Sequence, residues 1–378
     1  MRKTERGWHQ VYGGLIDIFR DIPDPRSGNG IRHRLDEILS IAILAILCDC
    51  TRFTEMELFG QEREEWLRTF LSLENGIPSH DTFGDVFAAL SPEAIQTRFI
   101  SWVETIREKI SGDIVSIDGK TIRGSKDLSN NRKAIHIISA WSAANGLVLG
   151  EIATDEKSNE ITAIPDLLKM LELKGCIVTI DAMGTQTDIA KTIIDNGADY
   201  VLAVKENQPL LFQDIELFFS TEMAECDYAK TTEKSHGRYE TRECWASMDI
   251  DWLYKKGNWA GISGIGMIRS KRQQVGSDVV ESSVKYFIFS KNMTAMELLA
   301  ANRAHWGIEN SLHWVLDMDF REDESRMRVG NCATNMNVFR HLALNLIKSE
   351  NSTKLSVNMK RKRCMLSLEY LLKVIGVT

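Results

Sequence analysis

The sequence predicts an α/β core domain with a helical region before it and a β-rich insertion within it. Three observations support this fold class. Apolar residues recur every three or four positions up to about residue 110, which is typical of helices. From about residue 113, short β-branched runs alternate with helical segments, as in domains built on a partly parallel sheet. Between 208 and 290, alternating patterns separated by turn residues favour antiparallel strands.

Size, charge and cysteine usage limit the kind of protein this is. With 378 residues, the chain exceeds the size at which a single core usually stops growing, so we expect a smaller domain beside the main one. A net charge of −7 argues against a uniformly basic surface, so any contact with nucleic acid must come from local patches. The seven cysteines include no CxxC pair, which argues against a zinc site or a disulfide framework.

The sequence contains no pattern that is typical of a membrane span or a secretory signal. Its longest apolar run, Ile38–Cys48, falls short of the roughly 20 residues that a membrane helix needs. The N-terminus lacks the arrangement of charged and apolar regions that marks a signal peptide. We therefore expect a cytoplasmic protein without a membrane partner.

Residues 1–110 are predicted to form a helical N-terminal domain. Helical segments are expected at 35–48, 53–73, 81–90 and 92–110. Between the second and third segments, Gly76 and Pro78 break the chain, and Ser79 or Asp81 can cap the next helix. This outline fits a DNA-binding helix-turn-helix and also fits a plain helical hairpin. The sequence leaves both interpretations open.

The core is predicted to occupy residues 111–207 and 291–350, on either side of an insertion at 208–290. Two of its strands carry nearly the same phrase, IVSIDGKTIR at 114–123 and IVTIDAMGTQ at 177–186. Each apolar run stops at an aspartate, Asp118 or Asp181, and Lys205 ends a third strand. Ligands of open α/β sheets gather where parallel strands end. We therefore expect both aspartates at one site, although aspartate is also a common turn residue. A hairpin is expected at 144–146.

A long helical segment after Thr294 carries a third candidate acid. Glu309 lies off the apolar stripe of this helix, on a polar face that it shares with Asn302, His305 and His313. A metal site made of the two histidines and the glutamate is disfavoured. Regular helical spacing separates the three residues too far along the axis for one tetrahedral ion.

Two strand-end aspartates and one helix glutamate suit a two-metal site. Mg²⁺ prefers oxygen ligands and usually keeps several waters, so a few carboxylates are enough to hold it. Two such ions, about 4 Å apart, can activate a water or a 3′-hydroxyl and stabilise the departing oxygen. Glycosidases also use a pair of carboxylates, but their sites usually carry aromatic platforms near the acids, and here only Trp306 and Trp314 lie close. A requirement for metal would separate the two classes. The sequence favours metal-dependent phosphoryl chemistry with Asp118, Asp181 and Glu309.

Longer stretches of the sequence carry a family resemblance. SIDGKTIRGS, TIDAMGTQ, YVLAVKENQP and the late stretch that begins NRAHWGIENSLHWVLDMDF resemble segments of the H-repeat-associated transposases of bacterial insertion sequences. That family belongs to the DDE transposases. The resemblance covers nearly the whole chain. It implies a ribonuclease-H-like mixed sheet in which Asp118, Asp181 and Glu309 are the catalytic and metal-binding acids.

The resemblance also implies a reaction and its partners. The cofactor would be Mg²⁺, with two ions per site and Mn²⁺ as a substitute. The partners would be double-stranded DNA, as the terminal inverted repeats of the element and as target DNA, and a second copy of the chain in a homodimer on paired ends. The implied function is hydrolysis of a phosphodiester at the element ends followed by strand transfer. The alternative is a catalytically silent DNA-binding remnant of a transposase.

The residues around Glu309 differ from the pattern of the wider superfamily. In that pattern, a tyrosine lies seven residues before the glutamate, an arginine lies four residues before it and a lysine lies seven residues after it. Here these positions hold Asn302, His305 and Leu316. Because a neutral imidazole cannot replace a permanent guanidinium charge, hairpin formation at DNA ends is not implied. Arg303 is a candidate for the missing charge. The acids that compete with Glu309 as third ligand are Asp317, Asp319, Glu322, Asp323 and Glu324.

Basic residues near these motifs are candidates for contacts with the DNA backbone. Affinity from such contacts falls as the salt concentration rises. The candidates are Lys120, Arg123, Lys205, His236, Arg238, Arg303, His305, Arg326 and Arg328. A further basic run, MKRKR at 359–363, lies in a predicted basic C-terminal helix at 351–378.

Overall fold

A nine-stranded mixed sheet organises the protein. The computed structural model describes residues 18–28, 30–127, 130, 132–154, 160–235, 237–276 and 278–376. The strands are β1 (Ile114–Thr121), β2 (His136–Ser142), β3 (Leu147–Thr154), β4 (Ile177–Ile180), β5 (Asp199–Val204), β6 (Asp227–Ser235), β7 (Arg238–Ser247), β8 (Gly264–Gln274) and β9 (Val280–Phe289). They lie in the order β3-β2-β1-β4-β5-β9-β8-β7-β6.

Helices precede the sheet, cover it and follow it in the chain. Those before the sheet include α1 (Leu35–Leu47), α2 (Phe53–Glu62), α3 (Glu64–Leu67), α4 (His80–Ala89) and α5 (Pro92–Ile106). Those between strands are α6 (Glu160–Met170), α7 (Thr187–Asp195) and α8 (Pro209–Thr221). After β9 come α9 (Ala295–Ile308), a π-helix (Glu309–His313), α10 (Trp314–Phe320), α11 (Cys332–Ser349), α12 (Val357–Leu366) and α13 (Leu368–Val374).

Strands β1 to β5 have the ribonuclease-H-like arrangement that the resemblance implied. β1 pairs antiparallel with β2, which pairs antiparallel with β3. On its other side, β1 runs parallel to β4, and β4 runs parallel to β5. The β2–β3 hairpin turns at Gly146, whose φ of +65° suits glycine, and it confirms the hairpin predicted at 144–146. The α/β fold class is confirmed.

The β-rich segment extends the core sheet and does not form a sheet of its own. β6, β7, β8 and β9 pair antiparallel in sequence order, and β9 then pairs antiparallel with β5. The prediction of antiparallel strands is confirmed, but helix α8 was missed. Its buried residues Leu211, Ile215 and Phe219 recur every four positions after Pro209 at the helix start, which is a helical pattern.

The N-terminal helices share a hydrophobic core with the end of the chain. Helix α1 is buried along nearly its whole length and contacts α11. The ring of Phe87 on α4 meets the ring of Phe339 on α11 edge-on, with centroids 4.9 Å apart. Ser79 caps α4 as predicted, because its Oγ accepts a hydrogen bond from the backbone N–H of Thr82 at 3.3 Å. Whether α2 and α4 bind DNA stays a prediction at this point.

The C-terminal basic run is divided between the interior and the surface. The segment forms two helices, α12 and α13, where the sequence predicted one. Lys360 is buried, and its Nζ donates to the backbone oxygen of Ile347 at 3.0 Å. Arg361 is also buried, and it pairs with Asp49 at 2.8 Å while donating to the backbone oxygen of Ile46. Two of the four basic side chains in this run therefore hold the fold together.

Neither a membrane-spanning helix nor a disulfide is present in the described part of the chain. Within the described residues, every helix is too short or too polar to cross a membrane. The seven cysteines, all of which lie in the described part of the chain, are free thiols.

Candidate active site beside strands β1 and β4

Asp118 and Asp181 occupy neighbouring positions on two parallel strands. Ile117 of β1 lies opposite Ile180 of β4, so the next residue on each strand is one of the two aspartates. Asp181 directly follows the end of β4. Asp118 was predicted to end its strand, and this prediction is wrong, because β1 continues to pair with β2 as far as Thr121. The register nevertheless brings the two acids to one level of the sheet.

Helix α9 is fixed onto these strands by a chain of hydroxyl groups. The Oγ1 of Thr179 donates to the Oγ of Ser116 at 3.2 Å and lies 3.0 Å from Nδ1 of His305. The Oγ of Ser116 contacts the backbone oxygen of Ala304 at 3.4 Å. These bonds tie α9 to β1 and β4 one turn before Glu309. Burial lowers the pKa of His305 to about 4, so this imidazole is neutral at physiological pH.

The helix changes its winding at the predicted third acid. Residues Glu309–His313 form a π-helix, a rare geometry that is frequent at functional sites. Nδ1 of His313 lies 3.5 Å from Oδ2 of Asp118 and 3.6 Å from Oε2 of Glu309. One ligand atom from each of these three residues lies within 4.8 Å of the other two. His313 was not a predicted site residue, because the sequence pattern assumed regular helical spacing.

Negative charge accumulates in this corner of the molecule. Burial, together with the charges of Glu309 and Asp181, raises the pKa of Asp118 to about 6, against the opposing effect of His313. Hydrogen bonding to His313 lowers the pKa of Glu309. Asp118 therefore holds a proton more readily than Glu309 does.

The donor set fits a divalent cation. Two carboxylates converge, a third is adjacent, and hard cations prefer such oxygen ligands. A cation between them would offset the repulsion and burial that raise the pKa of Asp118. The Nε2 of His313 is buried without a hydrogen-bond partner in the described residues, whereas Nδ1 faces the acids. One ring nitrogen of His313, Nδ1, is thus directed at the site.

Lys120 and the downstream acids pair with one another. The Nζ of Lys120 contacts the carboxylates of Asp317 and Glu322, and Glu322 is 1% exposed. Asp323 pairs with Arg123 and accepts a hydrogen bond from its backbone N–H at 3.0 Å. Three of the five acids that competed with Glu309 therefore already have cationic partners. Lys120 was predicted to contact DNA, but its ammonium group forms ion pairs with Asp317 and Glu322 inside the protein.

Arg123, Arg326 and Arg328 come together in one large cleft. The cleft has a volume of about 1080 Å³ and lies between the starts of α2 and α4 on one side and the loops after β1 and α10 on the other. Its charged lining residues are Arg52, Arg123, Arg321, Arg326, Arg328, Asp81, Asp85, Asp323 and Glu324. The side chain of Arg123 is 86% exposed, and Arg326 is exposed as well. Arg328 donates to the backbone oxygen of Gly124 at 2.9 Å.

The remaining predicted contacts lie on the insertion side of the acids. Lys205 is exposed immediately beyond β5. Arg303 forms an ion pair of 2.8 Å with Glu233 of β6. Arg303 and Arg238 line a second cleft of about 520 Å³ with the exposed Trp314. His236 lies outside the described residues.

Comparisons with known proteins point to one family. The model described as the transposase DDE domain matches residues 110–346, and a model described as associated with that domain matches residues 16–103. A relative named as transposase YncI, from Escherichia coli O157:H7, is 42% identical over 367 residues, which are 96% of this chain and 94% of that protein. YhhI of Escherichia coli strain K12, named as an H repeat-associated transposase, is 38% identical over 371 residues, which are 96% of this chain and 97% of that protein.

Similarity extends to solved structures, including one of a transposase. The piggyBac transposase synaptic complex with hairpin DNA aligns with 96% of this chain and 79% of its own chain, at a TM-score of 0.44 and 10% identity. That similarity is too distant for any inference about the site. The domain match, in contrast, covers more than half of the chain, and the relatives align almost end to end. The chain therefore belongs to the DDE-domain transposases, among the H-repeat-associated transposases of insertion sequences.

Proposed function

We propose that this transposase cuts DNA at the ends of its insertion sequence and joins the freed 3′ ends to target DNA, with a divalent metal as cofactor. The observation that carries the proposal is the convergence of Asp118, Glu309 and His313 within 4.8 Å, next to Asp181. Two-metal phosphoryl transfer uses a cluster of carboxylates of this kind. Asp118, Asp181 and Glu309 are accordingly assigned as the catalytic acids.

The residues divide into metal ligands and a positioning residue. Asp118 and Asp181 would share two Mg²⁺ ions and Glu309 would hold the second, and Mn²⁺ suits the same oxygen ligands. The bound ions would activate the attacking oxygen and stabilise the charge on the phosphate. Because imidazole is not a preferred Mg²⁺ ligand, His313 is assigned to orient Asp118 and Glu309 through Nδ1.

The acids must be ionised to act as ligands. The pKa of Asp118 is raised to about 6, whereas that of Glu309 is lowered, so Asp118 is the acid that must lose its proton before a cation binds. Its side chain is only 19% exposed, which limits contact with bulk water. The position of Glu309 depends on the hydroxyl chain that fixes α9 to β1 and β4.

Double-stranded DNA is proposed to follow the cleft that contains Arg123 and Arg326. These guanidinium groups are exposed in the cleft and can bind backbone phosphates. The starts of α2 and α4, the helices of the predicted helix-turn-helix, line the same cleft. We therefore assign residues 1–110 to recognition of the terminal repeats. The other assignments are catalysis for 111–207 and 291–350, an insertion for 208–290 and a basic C-terminal segment for 351–378.

The assembly and the cellular site follow from the reaction. Two element ends must be cut and joined together, so we propose a homodimer on paired ends. Chromosomal DNA is the substrate, so we propose that the protein acts in the bacterial cytoplasm at the nucleoid.

The proposal is tested with a plasmid that carries the DNA flanking this gene. The wild-type protein is incubated with Mg²⁺, with Mn²⁺ or with EDTA, and breaks are mapped by primer extension. We expect metal-dependent breaks at defined positions that leave 3′-hydroxyl ends. DNA binding without breaks under either metal would contradict the proposal and would favour a catalytically silent DNA-binding remnant.

A further inference from the structure

Two lysines face each other across strands β5 and β9 near the acids. β5 and β9 run antiparallel with Val204 opposite Tyr286, so the next pair in register is Lys205 and Lys285. Side chains alternate between the two faces of a sheet. By this alternation, both lysines lie on the face that α9 covers, which is also the face of Asp118.

Lys285 is held on this face by an aromatic contact. Its Nζ lies 4.9 Å from the ring centroid of Trp306, three residues before Glu309. The side chain is half-buried. Trp306 thus holds the ammonium group of Lys285 beside α9, one helical turn from Glu309.

Ion pairing in the described part of the chain does not include this lysine pair. Among the described residues, neither Lys205 nor Lys285 forms an ion pair with a carboxylate. Like charges directly opposite each other destabilise a sheet. Burial and the positive charges of Lys205 and Arg272 lower the pKa of Lys285. Arg272 itself is engaged by Glu240 at 3.0 Å. The two ammonium groups are therefore available to an external anion.

The lysines are within reach of a ligand bound at the acids. Asp181 follows β4, the neighbour of β5, so β9 lies two strand spacings away, or about 10 Å. The flexible four-carbon stem of lysine covers part of this distance. The charge of Asp181 acts on Lys285 in the structure. A strand of DNA with one phosphate at the acids would place a neighbouring phosphate near the lysines.

We propose that Lys285, together with Lys205, binds a phosphodiester group of the DNA strand that is cut at Asp118, Asp181 and Glu309. This inference rests on the proposed function. The wider superfamily has an arginine and a lysine at the positions of His305 and Leu316. Here His305 contacts Thr179 and Leu316 carries no charge, so Lys285 of the insertion would supply a positive charge that is missing around Glu309. Lys285 was not predicted from the sequence, because strand register and not a motif brings it to the site.

The test is the salt dependence of DNA binding. Binding of a duplex from the element end is measured in EDTA over a range of salt concentrations for the wild type, Lys285→Gln, Lys205→Gln and Lys271→Gln. Lys271 is the matched control, because it lies on the opposite face of β8 and is 3.7 Å from Glu243. Each phosphate contact that is lost lowers the slope of log K against log salt by about 0.9.

We expect the slope to fall by about 0.9 for Lys285→Gln and for Lys205→Gln, and to remain at the wild-type value for Lys271→Gln. Wild-type slopes in both test variants would overturn the inference. Lys205→Gln guards against misfolding, because Lys205 is exposed and its loss removes no packed side chain. If the wild type binds and cuts the DNA while both slopes are unchanged, only this inference fails. If the wild type does not cut DNA, the proposed function fails with it.

Discussion

The raised pKa of Asp118 has a cost for folding when no cation is bound. Burial is the main cause of the rise from 3.8 to about 6. One pKa unit corresponds to about 1.4 kcal/mol, so ionised Asp118 destabilises the metal-free fold by about 2–3 kcal/mol. This penalty is absent well below the unfolded-state pKa of about 4, where the acid is protonated in the folded and unfolded states. It grows as the pH rises and is complete above about 6.

Replacing Asp118 with asparagine is therefore expected to stabilise the metal-free protein at high pH. At pH 8 in EDTA, Asp118→Asn should unfold in urea with a free energy about 2–3 kcal/mol above that of the wild type, and the difference should shrink to about 0.5 kcal/mol at pH 4. Asp249→Asn, at an exposed acid, serves as the control. A variant less stable than the wild type at pH 8 would instead make Asp118 a structural carboxylate.

At the residue scale, the sequence indicated the acids but not their partners. Asp118 and Asp181 were predicted because a repeated strand phrase ends on each of them. Glu309 was predicted from its polar helix face and from the family resemblance. His313 was missed, since no sequence pattern predicts a π-helix. The internal pairing of Lys120 with Glu322 was missed because the two residues are 202 positions apart.

At the element scale, Lys120 connects β1 to the segment after the π-helix. Its amine contacts Asp317 on α10 and the buried Glu322 just beyond it. Burial alone would raise the pKa of Glu322, but the charge of Lys120 holds this pKa below its usual range. Without the lysine, a buried carboxylate would lose its principal cation. This contact also holds α10, and with it Glu309, against the strand that carries Asp118.

Lys120→Met is expected to lower the free energy of unfolding by about 3 kcal/mol, because it removes the principal cation from the buried Glu322 and leaves Arg340 as its main charged neighbour. The matched control is Lys169→Met, where an exposed lysine pairs with exposed Asp166, and a change within about 0.5 kcal/mol is expected. Urea unfolding measures both. If Lys120→Met keeps full stability and weakens DNA binding, the residue is a phosphate contact as the sequence suggested.

Strands were easier to predict than the departures from regular structure. The core strands lie within three residues of the apolar β-branched runs that predict them, which are 113–119, 133–142, 147–154, 176–182 and 199–205. β1 extends past Asp118 because its pairing with β2 continues, which is a tertiary effect. The sheet position of the insertion could not be predicted, since the pairing of β9 with β5 depends on contacts distant in sequence.

At the scale of the whole molecule, a chain with net charge −7 must bind DNA through local cationic surfaces. The cleft between the N-terminal helices and the core is proposed as one such surface.

Arg123→Gln combined with Arg326→Gln is expected to lower the slope of log K against log salt by about 1.8, or 0.9 for each phosphate contact. Arg68→Gln, at an arginine paired with Glu64, is the control. An unchanged slope in the double variant would place the DNA elsewhere.

Asp118, Asp181 and Glu309 are proposed to act as one metal-binding catalytic site. The most direct measurement compares cleavage and binding of the same end-containing DNA by the wild type, Asp118→Asn, Asp181→Asn, Glu309→Gln and the control Glu225→Gln, at an exposed residue on the insertion. We predict that the three site variants bind DNA with wild-type affinity and produce no breaks with Mg²⁺ or Mn²⁺, whereas Glu225→Gln cuts normally. Cleavage at the wild-type rate by any of the three site variants would contradict the assignment.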